Sequence, residues 1–359
     1  MNADSKILFV SMTNYMGGAE SVLNMLAQVN NSPLIFLRKI SKKCVPIKAA
    51  QNVKFITAWP LIFGFILLIK ELYVFRRGYI IMASHPYVNA YLGILKRVGY
   101  IKSELIVRES TSIFIRYSGF KRLSYQVMYY LGYPAVNTVV CQTEEMKSQL
   151  LAHNRFLAAH KVLVRTNPIH LEEVQKKAGQ PIDEKDKFIC AAGRLLEIKG
   201  FHILIQAFSQ IHSQYPGIKL FILGDGPQKL FLLDLIQKLR LQNQVILKGH
   251  ISNPYPYFKK AELCVVPSIL EGFPNVLLQM MALNRRVIST LCAGGIEDIS
   301  IITKVPTNHV EELSKAICRT LGSDGIRYSE QKWHDFFSKR NPIQYLDFLI
   351  GSNKINFPL

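Results

Sequence analysis

The 359-residue sequence predicts an α/β protein of two tandem doubly wound, Rossmann-like domains facing across a cleft. Three observations carry that prediction. Short β-type runs alternate with helical stretches along most of the chain, which is the mark of parallel sheets joined by crossover helices. The alternation pauses once, near residue 165, and restarts near residue 188. Apolar residues make up 49% of the chain, enough for two cores, and no low-complexity tract interrupts them.

The first half opens with the strand-like run Ile7–Val10, followed by a glycine turn and a helix beginning near Ala19. Further strand runs are Pro33–Leu37, Tyr79–Ala83, Leu105–Val107 and Thr138–Val140, with helices over 86–98 and 119–133. At 165–170 the chain reads RTNPIH, and the polar stretch 172–187 that follows reads as an interdomain linker. The second half has strand runs at Phe188–Ala192, Lys219–Leu223, Val245–Lys248, Leu263–Pro267 and Arg286–Ser289. Helices over 200–214, 228–240 and 274–283 separate them. The expected domains are therefore 1–170 and 187–335, with a C-terminal helix within 340–359 free to pack back on the first.

The net charge of +19 is uneven. Residues 1–165 hold 21 Lys/Arg against 7 Asp/Glu, a net of +14, and the remainder carries +5. Such a surface attracts polyanions, whether nucleic acid, anionic lipid or a phosphorylated ligand. Six scattered cysteines (Cys44, Cys141, Cys190, Cys264, Cys292 and Cys318) include no C-x-x-C pair, which fits reduced thiols in the cytosol. The N-terminus lacks the pattern of a secretory signal. The apolar run Trp59–Ile69 falls short of the roughly 18–20 residues a bilayer span needs. It reads either as a buried helix or as a surface helix lying in a membrane interface beside Arg76 and Arg77.

Several loops carry residues suited to an anionic, hydroxyl-bearing ligand. Gly193-Arg194 through Lys199-Gly200 follows a strand and opens a helix, where a guanidinium, an ammonium and a helix N-terminus together suit a diphosphate. Leu223-Gly224-Asp225-Gly226-Pro227 is a second strand-ending turn. It reads equally as a ligand approach or as a tight βα turn. The strongest local signal is Ser268 to Gln279. There Glu271 and Gly272 precede Phe273, Pro274 and Asn275 at the start of a helix, and Gln279 lies one turn in. A carboxylate on that turn is placed to accept hydrogen bonds from sugar hydroxyls. In the first half, Gly17-Gly18 forms another phosphate-friendly turn, although not a G-x-G-x-x-G. His85 and the pair Arg108-Glu109 close strands where ligand-facing residues stand. Metal-ligand spacings, a D-x-D after an apolar strand and a G-x-S-x-G are absent, so no metal is expected.

These motifs occur in one order: GGAE, GRLLEIKG, LGDGP, NPYPYFKKAELCVVPS, EGFPNVLLQMMA. That order resembles the retaining GT-B glycosyltransferases of family 4, and most of all the bacterial enzymes that extend lipid-linked oligosaccharides, capsule, O-antigen or lipopolysaccharide. The likeness is strong over 188–300 and weaker but continuous over 6–165. The resemblance implies an acceptor-binding first domain and a nucleotide-sugar-binding second one. It implies that Arg194 and Lys199 bind the donor diphosphate and steady the leaving nucleotide. Glu271 would touch donor-sugar hydroxyls, and the backbone at Gly272, Phe273, Pro274 and Asn275 would hold sugar and phosphate. Gly17 and Gly18 would approach diphosphate or acceptor, His85 would line the sugar site, and Gly249, His250 and Ile251 would form the base-binding edge. Gln279 departs from the family, which usually has a ribose-binding Glu there; Gln still accepts one hydrogen bond and donates others.

The implied activity is retaining transfer of a hexose or N-acetylhexosamine from a nucleotide sugar, UDP-linked, to a lipid-linked or polysaccharide acceptor. It needs no cofactor and no metal, and takes place peripherally on the inner face of the cytoplasmic membrane. Two other readings compete. One is a sugar-nucleotide epimerase of the same architecture. The other is a basic, non-catalytic module binding membrane or nucleic acid. Nucleic acid is disfavoured because no aromatic-bearing RNA-recognition strand is present.

Overall fold

The computed structural model describes residues 6–14, 17–40, 52–58, 60–322 and 329–355. The chain divides into two compact units, Met1–Pro168 with Arg340–Leu359, and Ile169–Lys339.

The first unit is built on a seven-stranded sheet of order β3-β2-β1-β4-β5-β6-β7, paired in parallel throughout. Its strands are β1 (Ile7–Thr13), β2 (Leu34–Arg38), β3 (Val53–Thr57), β4 (Ile80–Ala83), β5 (Glu104–Arg108), β6 (Thr138–Cys141) and β7 (Val162–Val164). Strand β1 shows why these runs read as continuously apolar. Leu8 and Val10 enter one core and Ile7 and Phe9 the other, so both faces are covered. On the first face lie α2 (Leu61–Leu72), α3 (Pro86–Arg97), α5 (Gly119–Gly132) and α6 (Glu144–His153), with the short α4 (Ile113–Arg116) beside them. On the second lies α1 (Gly18–Val29). Edge strand β3 escapes sequence reading because its residues are only partly covered.

The apolar run after Trp59 resolves into α2. Only Gly64, Leu68 and Leu72, four residues apart, are buried, while Ile62, Phe63, Ile66, Leu67 and Ile69 are exposed. It is therefore a surface helix and not a buried one. Trp59 itself lies outside the described residues.

The C-terminal helix joins the first unit. Within α14 (Pro342–Ile355), Tyr345, Leu346 and Leu349 pack with Val22, Leu23 and Leu26 of α1. The Tyr345 hydroxyl accepts a hydrogen bond from Arg108 Nε at 2.8 Å. Arg108 is 1% exposed, and its other nitrogens donate to Ser84 Oγ at 3.2 Å and Asn167 Oδ1 at 2.7 Å. Glu109 is buried as well. Its carboxylate accepts from the hydroxyls of Tyr129 (2.7 Å) and Tyr133, and from Asn89 Nδ2 at 3.4 Å. The expectation that this pair faces a ligand fails, because its polar groups are spent holding α3, α5 and α14 to the sheet.

The second unit has a six-stranded parallel sheet, β10-β9-β8-β11-β12-β13. Its strands are β8 (Lys187–Ala192), β9 (Ile218–Leu223), β10 (Val245–Gly249), β11 (Leu263–Val266), β12 (Val287–Thr290) and β13 (Thr303–Val305). One face is covered by α8 (Phe201–Ser209), α9 (Lys229–Lys238) and α12 (Val310–Leu321). The other is covered by α7 (Leu171–Ala178), α10 (Tyr255–Lys260), α11 (Asn275–Leu283) and α13 (Glu330–Ser338). Helix α7 corrects the linker reading of 172–187. Polar at five of its eight positions, it still buries the i, i+4 pair Val174 and Ala178. In each sheet the strand order reverses once, between β1 and β4 and between β8 and β11. Loops at the carboxyl ends of those strands are where such sheets take ligands.

Two outcomes test this account. Tyr345→Phe leaves a buried guanidinium N–H without its acceptor and is expected to cost about 1.5–3 kcal/mol in urea unfolding; an unchanged midpoint would detach α14 from Arg108. Burial pushes the Glu109 carboxyl up to about 7, against lowering by hydrogen bonds from Tyr133, Tyr129 and Asn89. Folded and unfolded chains both hold that proton below pH ~4.5, and only the folded chain holds it between ~4.5 and ~7. Its burial therefore costs stability progressively as pH rises through that window. Glu109→Gln is expected to flatten the decline in Tm between pH 5 and 8, and parallel Tm profiles would refute the assignment.

Candidate functional site

The polar strand ends of the second unit meet at its switch point. After β8 the chain runs Gly193-Arg194-Leu195, makes a 3-10 turn over Glu197–Lys199, and enters α8 through Gly200. Gly200 is left-handed, with φ 66°, and a Cβ there would lie 2.0 Å from the Pro267 carbonyl oxygen. Only glycine permits that approach of the loop after β8 to the loop after β11. Beside it the Ile269 N–H donates to the Ile198 carbonyl at 2.7 Å. Stitched in this way, the loops bring Lys199 Nζ into an ion pair with Glu271 Oε1. Both side chains are largely but not wholly covered, at 21% and 14% exposure.

Three further residues set the position of Glu271. Ser268 Oγ donates to the same Oε1 at 2.9 Å, Thr290 Oγ1 donates to the Ser268 carbonyl, and the Cys292 carbonyl accepts the Glu271 N–H at 2.8 Å. Ser268, Thr290 and Cys292 are all buried. Burial, and next the charge of Glu271, pushes the Cys292 thiol up to about 12, so it is no nucleophile. Only the three-residue spacing of Ser268 from Glu271 is visible in the sequence. Thr290 and Cys292 come from the next strand end.

Arg194 is exposed on the same loop as Lys199. Gly193 donates to the Leu223 carbonyl at 2.9 Å, and Gly224 to the Gly249 carbonyl at 2.7 Å, which joins the ends of β8, β9 and β10. Gly224 has φ 149°, and a Cβ on it would sit 1.9 Å from the Gly193 carbonyl oxygen. Between the two sequence readings of LGDGP, the tight turn accounts for the glycine. His250 is exposed beyond β10, with Gly249 and Ile251 partly covered beside it. Phe273 and Pro274 are buried at the start of α11, while Gly272, Asn275 and Gln279 are partly accessible. Gln279 lies four residues into the helix.

In the first unit, Gly17 is the N-cap of α1 and Glu20 stands three positions on. The Glu20 carboxylate accepts backbone N–H bonds from its own residue and from Gly17, the reciprocal half of a capping box. An acidic group therefore already occupies the helix N-terminus that carries Gly17 and Gly18. His85 caps α3. Burial lowers its imidazole to about 4, so it is neutral at pH 7, and its buried Nδ1 has no hydrogen-bond partner among the described residues. Among the described residues no cluster of His, Cys, Asp and Glu is suited to hold a metal ion.

Residues 172–331 match the family described as Glycosyl transferases group 1. An uncharacterized glycosyltransferase of Methanocaldococcus jannaschii is 36% identical over 174 residues, 46% of this chain and 43% of its own. An N-acetylgalactosamine-N,N'-diacetylbacillosaminyl-diphospho-undecaprenol 4-alpha-N-acetylgalactosaminyltransferase of Campylobacter jejuni is 32% identical over 211 residues, 58% of this chain and 57% of its own. The chain thus spans about half the length of the curated relatives it matches. Over nearly the whole chain the fold is similar to Anabaena HepE in complex with UDP-glucose. There the TM-score is 0.77 at 18% identity, covering 97% of this chain and 99% of that one. It is also similar to the apo form of the lipopolysaccharide outer core galactosyltransferase WaaB, with TM-score 0.70 at 15% identity, covering 98% and 100%. Those likenesses establish the tandem GT-B fold.

Gly224→Ala adds a Cβ against the Gly193 carbonyl and strains φ. It is expected to destabilise the protein on the order of 3 kcal/mol in denaturant unfolding. Wild-type stability would show that the ends of β8 and β9 are not pinned together.

Proposed function

We propose, from the match of residues 172–331 to the glycosyl transferases group 1, that the chain transfers a hexose or N-acetylhexosamine from a UDP-linked donor, with retention, to a lipid-linked or polysaccharide acceptor of cell-surface glycan synthesis. The observation that carries the reading is the Lys199–Glu271 pair at the switch point, with Arg194 on the same loop. Two cationic side chains there suit a diphosphate. Glu271 accepts from Lys199 and Ser268 on Oε1, which leaves Oε2 to accept a donor-sugar hydroxyl. The names of the relatives support the substrate classes: one Campylobacter relative is named for a diphospho-undecaprenol acceptor, and HepE is described with UDP-glucose.

In the reaction the acceptor oxygen bonds to the anomeric carbon as the bond from that carbon to the diphosphate oxygen breaks. The leaving phosphate takes the acceptor proton. Arg194 and Lys199 neutralise the charge that develops on it, the part a metal plays elsewhere, so the reading assigns no cofactor. Gln279 offers the donor ribose an amide in place of a carboxylate. Gly249, His250 and Ile251 are assigned to the base. In the first unit, His85 supplies a hydrogen bond without charge. Glu20 at the Gly17-Gly18 turn repels a diphosphate and suits acceptor hydroxyls. We read the protein as peripheral on the inner face of the cytoplasmic membrane, held there by α2 with Arg76 and Arg77. No helix among the described residues is long and apolar enough to cross a membrane.

Nucleotide release measured against UDP-, GDP- and dTDP-sugars, with and without a polyprenyl-diphosphate acceptor, tests the reading. Arg194→Ala and Lys199→Ala are each expected to lower kcat about 10²–10³-fold, or about 2.7–4 kcal/mol. Wild-type rates in both variants would overturn the diphosphate assignment, and epimerised donor formed without acceptor would overturn transfer itself.

A further inference from the structure

Helix α5 is apolar on both sides. Its inner face buries Tyr125 and Tyr129 against the core. Its outer face carries Phe120, Leu123, Val127, Tyr130 and Leu131, all exposed, with Phe120 at 86%. The spacing of three, four and three to four residues aligns them in one stripe. An ordinary surface helix puts charge there, so the stripe needs a partner. Helix α2 is inverted in the same way, with Ile62 62% exposed. Helix α3 joins the two. Tyr91 of α3 donates to the Phe65 carbonyl of α2 at 2.7 Å, and Tyr87 of α3 hydrogen-bonds Ser124 of α5 at 2.9 Å and stacks on Tyr125. The apolar stripes therefore flank one helix on one face of one sheet.

The surrounding charge identifies the partner. Between residues 59 and 131 the sequence has ten Lys/Arg and three Asp/Glu. Of these, Arg108 and Glu109 are buried and Glu71 is paired with Lys54, which leaves nine basic residues and Glu104. Arg116, Lys121 and Arg122 cluster at the start of α5. A second copy of a chain carrying +19 would bring like charge to this face, whereas an anionic bilayer brings opposite charge and an apolar interior together.

We propose that α5 is a second membrane-docking helix, which with α2 forms a two-pronged, basic-collared face seated in the interface of an anionic bilayer. The proposal deepens, and rests on, the reading of a lipid-borne acceptor. Two parallel prongs fix the orientation of the first unit on the surface, which one helix cannot do.

Sedimentation with phosphatidylglycerol-containing vesicles, against pure phosphatidylcholine, tests it. Phe120→Asp with Val127→Asp is expected to weaken partitioning into the anionic vesicles at least about ten-fold, as is Ile66→Asp on α2. Leu230→Asp on the exposed face of α9 in the other unit is expected to leave it unchanged. These positions are exposed, so Tm is expected to hold. Wild-type vesicle binding by the α5 variant overturns the proposal. So does a solution dimer, seen by light scattering, that the variant dissociates, since the stripe would then belong to a second copy. Transfer to a short-chain, water-soluble acceptor separates the two readings. Its persistence in the α5 variant with vesicle binding lost supports docking, and its absence from a wild-type protein that binds vesicles defeats the transfer reading while docking stands.

Discussion

The second unit depends on one close approach, the bare Cα of Gly200 against the Pro267 carbonyl. Strands β8 and β11 are neighbours in the sheet but lie more than 70 residues apart in the chain, and their following loops leave the sheet in different directions. Gly200 and the Ile269–Ile198 hydrogen bond draw those loops together. That places Lys199 beside Glu271 and puts Ser268 and Thr290 where they can hold the carboxylate. Any side chain at Gly200 would push the cation and the carboxylate apart before it touched either.

The two units share a strand order but use their strand ends differently. In the second, glycine turns hold the backbone close and leave Arg194 and His250 exposed. In the first, the end of β5 is closed. Arg108 and Glu109 are consumed in fastening α14, α3 and α5, and Glu20 fills the first helix terminus. The first unit accordingly presents hydrogen-bonding groups of low charge, such as the neutral His85, and carries its positive charge on its outer surface.

That outer surface shows why hydropathy alone misleads. A run such as Ile62–Ile69 has one composition whether it faces a core or an interface. Only the position of Gly64, Leu68 and Leu72 against the sheet decides which side is left over. Helix α5 has a less apolar sequence, with Lys121, Arg122 and Ser124 among its first residues, and its exposed stripe is seen only once Tyr125 and Tyr129 are known to point inward.

Local pattern was enough for the alternation of strands and helices, the two halves and the motif-bearing turns, because strands buried on both faces read as apolar runs and the turns after β1, β8 and β9 carry glycines in their own sequence. Glu271, Lys199 and Arg194 were legible for the same reason: each sits in a short segment whose geometry is local. The rest was decided by tertiary contacts. Helix α7 was hidden because two buried residues among eight are too few for a periodic signal. Thr290 and Cys292 acquire their roles from a loop that meets the Glu271 turn only in the folded sheet. Arg108 and Glu109 look like ligand-facing residues until α14 and α5 arrive to bury them. Strand ends are determined by sequence, but what stands over each end is determined by packing, since charge and burial there depend on residues distant in the chain.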